Sequence, residues 1–211
     1  SAEIMDSLKP HLKLAETLGL LVSQISGGQI QKLEVRLQGE FAQHPSQPLV
    51  IATLKGLLTS ALGDKINYVN ASLEAKGRGI DVVEIKDELS PEFARGSLQL
   101  DSFSDKGGHS VSGTVFGDGD LGITSIDEYP INFVPSRHML FTRHRDMPGI
   151  IGQIGSLLGK YNVNIASMQV GRRIVRGEAV MVLSIDDPIP SELLGSILSM
   201  QGINEAHSVT L

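Results

Sequence analysis

Arg143-His144-Arg145-Asp146-Met147-Pro148-Gly149-Ile150-Ile151-Gly152 is the stretch from which the fold of this chain is read. Its left flank, Met139–Arg145, has the composition of a strand. Its right flank opens a helix from Pro148 to about Tyr161, with Ile151, Ile154, Leu157 and Leu158 as the apolar stripe. Working outward, strands are expected at Asn164–Gly171 and Glu178–Ile185. A second helix follows Asp187-Pro188, with Ser191 as N-cap and Leu194, Ile197 and Leu198 inward. A last strand spans Ile203–Leu211. The order β-α-β-β-α-β is the split-βαβ arrangement, which predicts a four-stranded antiparallel sheet with both helices on one face.

Upstream the patterns are of another kind. Leu14, Leu18, Leu21 and Ile25 repeat at helical spacing, with Ala15 and Val22 on the same face, Pro10 near the first turn and Gly27-Gly28 at the stop. One helix cannot bury such a stripe alone and must dock on a neighbour. Residues 30–40 alternate, with Leu33, Val35 and Leu37 set against Lys32, Glu34, Arg36 and Gln38, as in a half-buried strand. From Pro48 a helix runs through Val50, Leu54, Leu57, Leu58 and Ala61 to Gly63. A short strand near Tyr68, a turn at Lys76-Gly77-Arg78-Gly79 and a strand at Asp81–Ile85 come next. Gly96–Phe103, His109–Phe116 and Gly122–Phe133 read as strands joined by Gly/Asp turns. The expected class is α+β: a mixed, largely antiparallel-sheet domain followed by the βαββαβ unit. Pro135 marks the boundary, giving segments 1–27, 28–134 and 135–211.

Composition narrows the function. The 211 residues are 41% apolar with a net charge of -6, enough for a buried core and unsuited to a polyanion. The basic residues are scattered, and aromatics make up 4% with no Trp, so neither phosphate-backbone recognition nor base stacking is expected. Absence of Cys excludes disulfides, thiolate metal sites and a Cys nucleophile. No apolar run reaches the roughly 18 residues of a membrane span, and no signal peptide is recognised. Nucleic acid and membrane are therefore not expected as partners. The start at Ser1-Ala2-Glu3 reads as an excised fragment, or as a product of processing or tagging.

Three further motifs are read as structural. Gly117-Asp118-Gly119-Asp120-Leu121-Gly122 spells G-x-G-x-x-G, but strand-like Ile123–Ile126 follows where a nucleotide site needs a helix. Its two Asp would also repel a pyrophosphate, so a hairpin turn is expected. The spaced oxygen ligands of a calcium loop are missing as well. His109 is expected as an exposed loop histidine, since no G-x-S-x-G elbow accompanies it. The six His show no H-E-x-x-H or similar spacing, and no metal is expected.

The chemistry concentrates where strand turns to helix at Asp146–Gly149. Pro148 suits the first helical position, and Gly149 and Gly152 let a ligand or another backbone approach closely. The amides and positive dipole end of the helix favour a carboxylate, Asp146 suits an ammonium, and His144 adds a polar ring. Asn164, at the start of the next strand, offers a donor and an acceptor. Together these groups match a zwitterionic amino acid; a helix cap with tight packing would use the same residues. Arg172, Arg173 and Arg176 fall in the following hairpin, as a solvated turn or as a contact to another subunit or an acidic effector.

With Gly155-Ser156-Leu157-Leu158-Gly159 and Asn164-Ile165-Ala166-Ser167-Met168-Gln169-Val170-Gly171-Arg172, the stretch from Arg143 resembles an ACT domain, a ferredoxin-like fold. Tyr68-Val69-Asn70-Ala71, Arg78-Gly79-Ile80 and Gly113-Thr114-Val115-Phe116 resemble the intervening, allosteric substrate-binding domain of long-form D-3-phosphoglycerate dehydrogenases. The resemblance implies a regulatory region without catalytic residues, attached to an NAD-dependent enzyme that oxidises 3-phosphoglycerate in serine synthesis. This chain itself is expected to hold no cofactor. The resemblance also implies L-serine, or another small amino acid, bound at a subunit interface by His144, Asp146, Gly149, Ile151 and Asn164. It implies a homo-oligomer joined through ACT domains, and a phosphorylated or anionic effector met by Lys76, Arg78, Lys106 and Arg137. A cytoplasmic location is implied, or an organellar stroma or matrix in a eukaryote. Regulatory domains of an iron–sulfur L-serine dehydratase, or a free-standing amino-acid sensor, are the alternatives.

Overall fold

The computed structural model describes residues 2–87, 96–117 and 119–211, with side chains from residue 8 onward. It forms two compact units, Ser1–Glu128 and Tyr129–Leu211. The first holds α1 (Ala2–Ile25), β1 (Ile30–Gln38), α2 (Glu40–Gln43), α3 (Ser46–Leu62), α4 (Ala71–Gly77), β2 (Asp81–Asp87), β3 (Ser97–Ser104), β4 (Gly107–Val115) and β5 (Leu121–Ile126). The second holds β6 (Tyr129–Phe133), β7 (His138–Arg145), α5 (Ile150–Lys160), β8 (Ile165–Arg172), β9 (Glu178–Ile185), α6 (Ser191–Leu198) and β10 (Ile203–Thr210). The class is α+β, a mixed sheet with helices followed by a ferredoxin-like βαββαβ sheet.

Within the first unit the strand order is β2-β1-β3-β4-β5. β1 and β2 run parallel and the other pairs antiparallel. The parallel pair needs a long crossover, which α2, α3 and α4 supply. Leu33, Val35 and Leu37 are buried as their alternation predicts, and Lys32, Glu34 and Arg36 form a chain of ion pairs on the open face. Gln38, expected outward, is buried.

The helix α1 belongs to this unit, packing its stripe of Leu14, Leu18, Leu21 and Ile25 against α3 and β4. Pro10 lies inside it rather than in its first turn, because the helix begins eight residues earlier than the stripe alone suggests. α1 and α3 cross at two glycines. A Cβ on Gly19 would overlap the Thr53 carbonyl oxygen, and one on Gly56 would overlap the Glu16 carbonyl oxygen. No side chain fits between the two backbones there.

Two further expectations fail. Tyr68 is not on a strand; it sits in the turn between a 3₁₀ turn at Gly63–Lys65 and α4. Its hydroxyl donates to Glu16 Oε2 at 2.7 Å, and Lys55, itself paired with Glu16, lies 4.9 Å from the ring centroid. Burial, then the Glu16 carboxylate, pushes the phenol up to about 12. Gly122–Phe133 is not one strand either. Asp127 and Glu128, at φ 50° and 63°, end β5 before β6 begins. The boundary between units falls there, ahead of Pro135, because β6 packs along β8. Gly171 permits that contact, since a Cβ would sit 2.6 Å from the Pro130 carbonyl oxygen.

The second unit's sheet has the order β10-β7-β9-β8, antiparallel throughout. Leu140, Met181, Leu183 and Ala206 from the sheet enclose one core with Ile150, Ile154 and Leu158 of α5 and Leu193 and Ile197 of α6. Both helices therefore cover a single face. α5 ends in a Schellman motif. Val163 N–H bonds Leu158 O, Asn162 N–H bonds Gly159 O, and Asn162 takes φ 56°. In α6, Ser191 is the first helical residue and not the cap. Pro190 holds the N-cap place with no side-chain hydrogen bond.

Candidate effector site

The strand-to-helix corner is built by a tight turn. Met147 to Ile150 form a type II turn with Pro148 at its second position and Gly149, φ 90° and ψ -18°, at its third. Only glycine takes that geometry without strain. The turn delays the helix, so α5 starts at Ile150 and Pro148 is not its first residue, contrary to the sequence reading. Gln153 N–H bonds back to Gly149 O at 2.9 Å. The amides of Ile151 and Gly152 have no backbone acceptor among the described residues, and they lie at the positive end of the helix.

Two backbone bonds fix the corner from outside. Arg145 N–H donates to Gly202 O, and Asp146 N–H to Gly177 O, both at 2.8 Å. The second ties the corner to the β8–β9 hairpin, which returns over it. From that hairpin Arg172 Nη1 donates to Asp146 Oδ2 at 2.9 Å, and Arg176 N–H to the same oxygen at 3.3 Å. Arg176 takes φ 62°, which turns its amide toward the carboxylate. The Arg172 guanidinium, then the Arg176 amide, holds the Asp146 carboxyl below the usual carboxylate range.

A cleft of about 340 Å³ opens here, lined by Asp146, Pro148, Gly149, Ile151, Arg172 and Val175. Three of the five residues expected to hold an amino acid thus share one cavity. Arg172 and Val175 join them. The hairpin arginine, read from sequence as a solvated turn or as a contact to another subunit or an acidic effector, is solvent-exposed and also pairs with Asp146 of its own chain. The only sequence signal was a basic residue at the far end of the strand beside the corner.

His144 and Asn164 are placed elsewhere. His144 is buried, 1% exposed, with Nδ1 3.2 Å from Thr142 Oγ1. Its side chain shares the helix-facing side of β7 with Leu140, four residues before it, and does not line the cleft. Burial lowers its basicity, against a smaller opposing pull from Asp146 and Glu178. The unfolded chain therefore binds this proton more readily than the folded one. Stability of the second unit is predicted to fall as pH drops below the ordinary value of 6.5, and to level off below the depressed folded value. His144→Gln should flatten the urea midpoint across that window; an unchanged slope contradicts the assignment.

Asn164 sits at the opposite end of the sheet. The start of β8 pairs through Ile185 with His138, whereas Arg172 pairs through Ala179 with His144. Seven strand steps separate the two ends, about 23 Å. Asn164 Nδ2 donates to Asp186 Oδ2 at 2.8 Å, and the two residues also share a backbone bond. Within one chain Asn164 does not meet Asp146.

The four cations expected around an anion also divide. Arg78 lines a cleft of about 370 Å³ in the first unit with Ser23, Gly28, Gln29 and Ser60. Lys106 reaches the same edge, because a Cβ on Gly28 would lie 3.2 Å from its Cγ. Lys76 is exposed at the end of α4 and does not line that cleft. Arg137 belongs to the second unit, exposed, its carbonyl accepting Leu211 N–H.

The Gly117–Gly122 motif joins strands β4 and β5. Phe116 N–H bonds Asp120 O at 2.9 Å, while Asp118 lies outside the described residues. With a strand on both sides and Asp120 in the turn, these residues do not fit a dinucleotide. His109 is no exposed loop residue. It lies on β4 with its side chain 10% exposed, Nδ1 3.0 Å from Asp127 Oδ2. No described helix is long and apolar enough to cross a membrane.

A mixed-sheet unit followed by a βαββαβ unit with an ion-paired cleft at its first helix is the layout of a two-domain regulatory region. The chain belongs to the D-3-phosphoglycerate dehydrogenase family, as its intervening domain joined to an ACT domain. The model of the D-3-phosphoglycerate dehydrogenase intervening domain matches residues 7–127, and that of the ACT domain matches residues 138–203. Over 210 residues, 99% of the chain, the sequence is 56% identical to a D-3-phosphoglycerate dehydrogenase of Synechocystis sp., and it spans 38% of that protein. It is 36% identical over 209 residues to a protein of the same name from Methanocaldococcus jannaschii, spanning 39% of it. Against the Bacillus subtilis protein of that name it is 31% identical over 204 residues, again 39% of the length. The chain thus spans about two-fifths of these relatives.

Proposed function

We propose that this chain is the amino-acid-sensing region of a D-3-phosphoglycerate dehydrogenase, with L-serine or a close small amino acid as feedback effector. The Asp146–Arg172 pair at the start of α5 carries the reading. A zwitterion presents the same two charges in complementary order. Its carboxylate takes the Arg172 guanidinium and the amides of Ile151 and Gly152; its ammonium takes Asp146. Each charge in the cleft exchanges one partner for another, so no unpaired ion results.

A second copy of the chain completes the site. β8 is an edge strand whose residues 166–170 are exposed. Two such edges paired antiparallel about a two-fold axis form an eight-stranded sheet and remove the free edge. That pairing lays the start of one β8 beside the end of the other. Asn164 of the partner subunit then stands near Arg172, where its amide suits the effector's hydroxyl or carboxylate. Binding favours whichever arrangement of the enzyme holds the two copies this way, by its differential affinity alone. Oxidation of 3-phosphoglycerate and the binding of NAD fall to parts of the enzyme outside this chain. The Arg78–Lys106 edge of the first unit would receive a phosphorylated or other anionic effector.

Millimolar L-serine is expected to raise the melting temperature of the chain, by about 2.7 kcal/mol of added stability at a hundredfold excess over Kd. Larger and apolar amino acids should do less. No shift with any small amino acid would refute the sensor reading.

A further inference from the structure

The folded first unit brings together three side chains that the sequence keeps apart. Glu40 and His44 stand four residues apart on and just after α2, so they share one face of that short helix. His11 comes in from α1, its ring centroid 4.5 Å from that of His44. One ligand atom from each of the three lies within 4.8 Å of the others. Sequence spacing alone gives no sign of a metal here; tertiary packing supplies the ligand that the local pattern lacks.

We propose that His11, Glu40 and His44 bind a divalent cation of the zinc class. Two imidazoles and one carboxylate are the donor set of a three-ligand zinc site, with a fourth position left to water. Nitrogen donors select such an ion over calcium or magnesium, which take oxygen ligands. Bonds of about 2.0–2.1 Å in a tetrahedron put ligand atoms roughly 3.4 Å apart. Closing the cluster therefore takes only a small inward movement. Glu40 is exposed and His44 half-buried, so both have room to make it, while buried His11 is the fixed point.

A second observation marks the same spot. His44 Nε2 is buried and has no hydrogen-bond partner among the described residues. A buried polar atom left this way is disfavoured, and a cation between the two rings would satisfy it. Bound there, the ion would clamp α1 to α2. This inference concerns the first unit alone and is independent of the effector reading.

The test uses the full 211-residue chain, stripped with chelator and titrated with Zn²⁺. One equivalent should bind and raise the melting temperature, and Mg²⁺ should not compete. Co²⁺ in its place should give the visible absorption of a four-coordinate nitrogen–oxygen site. Glu40→Gln, at an exposed position, should leave metal-free stability unchanged and weaken Zn²⁺ binding at least about tenfold. His44→Ala should abolish the cobalt spectrum. Absence of saturable binding would overturn the proposal. Equal Zn²⁺ affinity in wild type and both variants would overturn it too, by placing the ion elsewhere.

Discussion

Gly56→Ala is expected to destabilise the first unit by about 2 kcal/mol or more, although the same change in an open helix stabilises. In an exposed helix interior, replacing Gly by Ala gains about 1 kcal/mol of helix propensity. At Gly56 the new methyl would overlap the Glu16 carbonyl oxygen, which is backbone of α1 and cannot rotate away. The helices must separate, and Leu14, Leu18 and Leu21 would lose their close packing on α3. Overpacking of this kind costs about 1–3 kcal/mol, occasionally more, and it outweighs the propensity gain. Gly195 on α6 supplies the contrast. It is exposed, and a Cβ there meets nothing within 4 Å. Gly195→Ala should therefore raise the stability of the second unit by up to about 1 kcal/mol. Chemical denaturation of both variants checks the pair; a neutral Gly56→Ala would contradict the helix crossing.

The second large effect concerns the effector. Asp146→Ala removes the group proposed to meet the ammonium and leaves Arg172 without its partner. Asn164→Ala removes the amide proposed to come from the second copy. Hydrogen bonds to charged groups contribute about 1.5–3 kcal/mol, so each variant should bind L-serine roughly tenfold to a hundredfold more weakly. Both positions are at least partly open to solvent, and their pairs are surface pairs worth little to folding. The variants should therefore melt close to the wild type without ligand. Calorimetric titration reads the affinities directly.

The second unit was legible because its signals are local. Helical stripes, alternating strands and the Asp146–Gly149 turn each announce themselves within ten residues, and together they dictate the βαββαβ order. The first unit was less so. Which strand lies beside β1 depends on a crossover through three helices, and no residue in β2 records that it runs parallel. Tyr68 has the composition of a strand residue, yet its hydroxyl is claimed by Glu16, 52 positions away.

Site residues divide the same way. Asp146, Gly149 and Ile151 are neighbours in sequence and share a cavity in space. Arg172 reaches them only because the β8–β9 hairpin folds back, a return that spacing does not encode. His144 lies within β7 with its ring on the core side, whereas Asp146 lies past the end of the strand at Arg145, where the chain turns toward the helix. Asn164, expected to start the strand, lies just before β8 and at the end of the sheet away from the corner, so within one chain it cannot join Asp146. His11, Glu40 and His44 are joined purely by packing.

Complementation between two variants tests the central claim most directly. Asp146→Ala and Asn164→Ala chains are refolded together in equal amounts and titrated with L-serine. In a mixed pair, one site receives Asp146 from one copy and Asn164 from the other, both intact. Recovery of wild-type affinity at about one site per mixed pair is the predicted result. If the mixture binds no better than either variant alone, or if either variant alone binds like the wild type, the shared site does not exist.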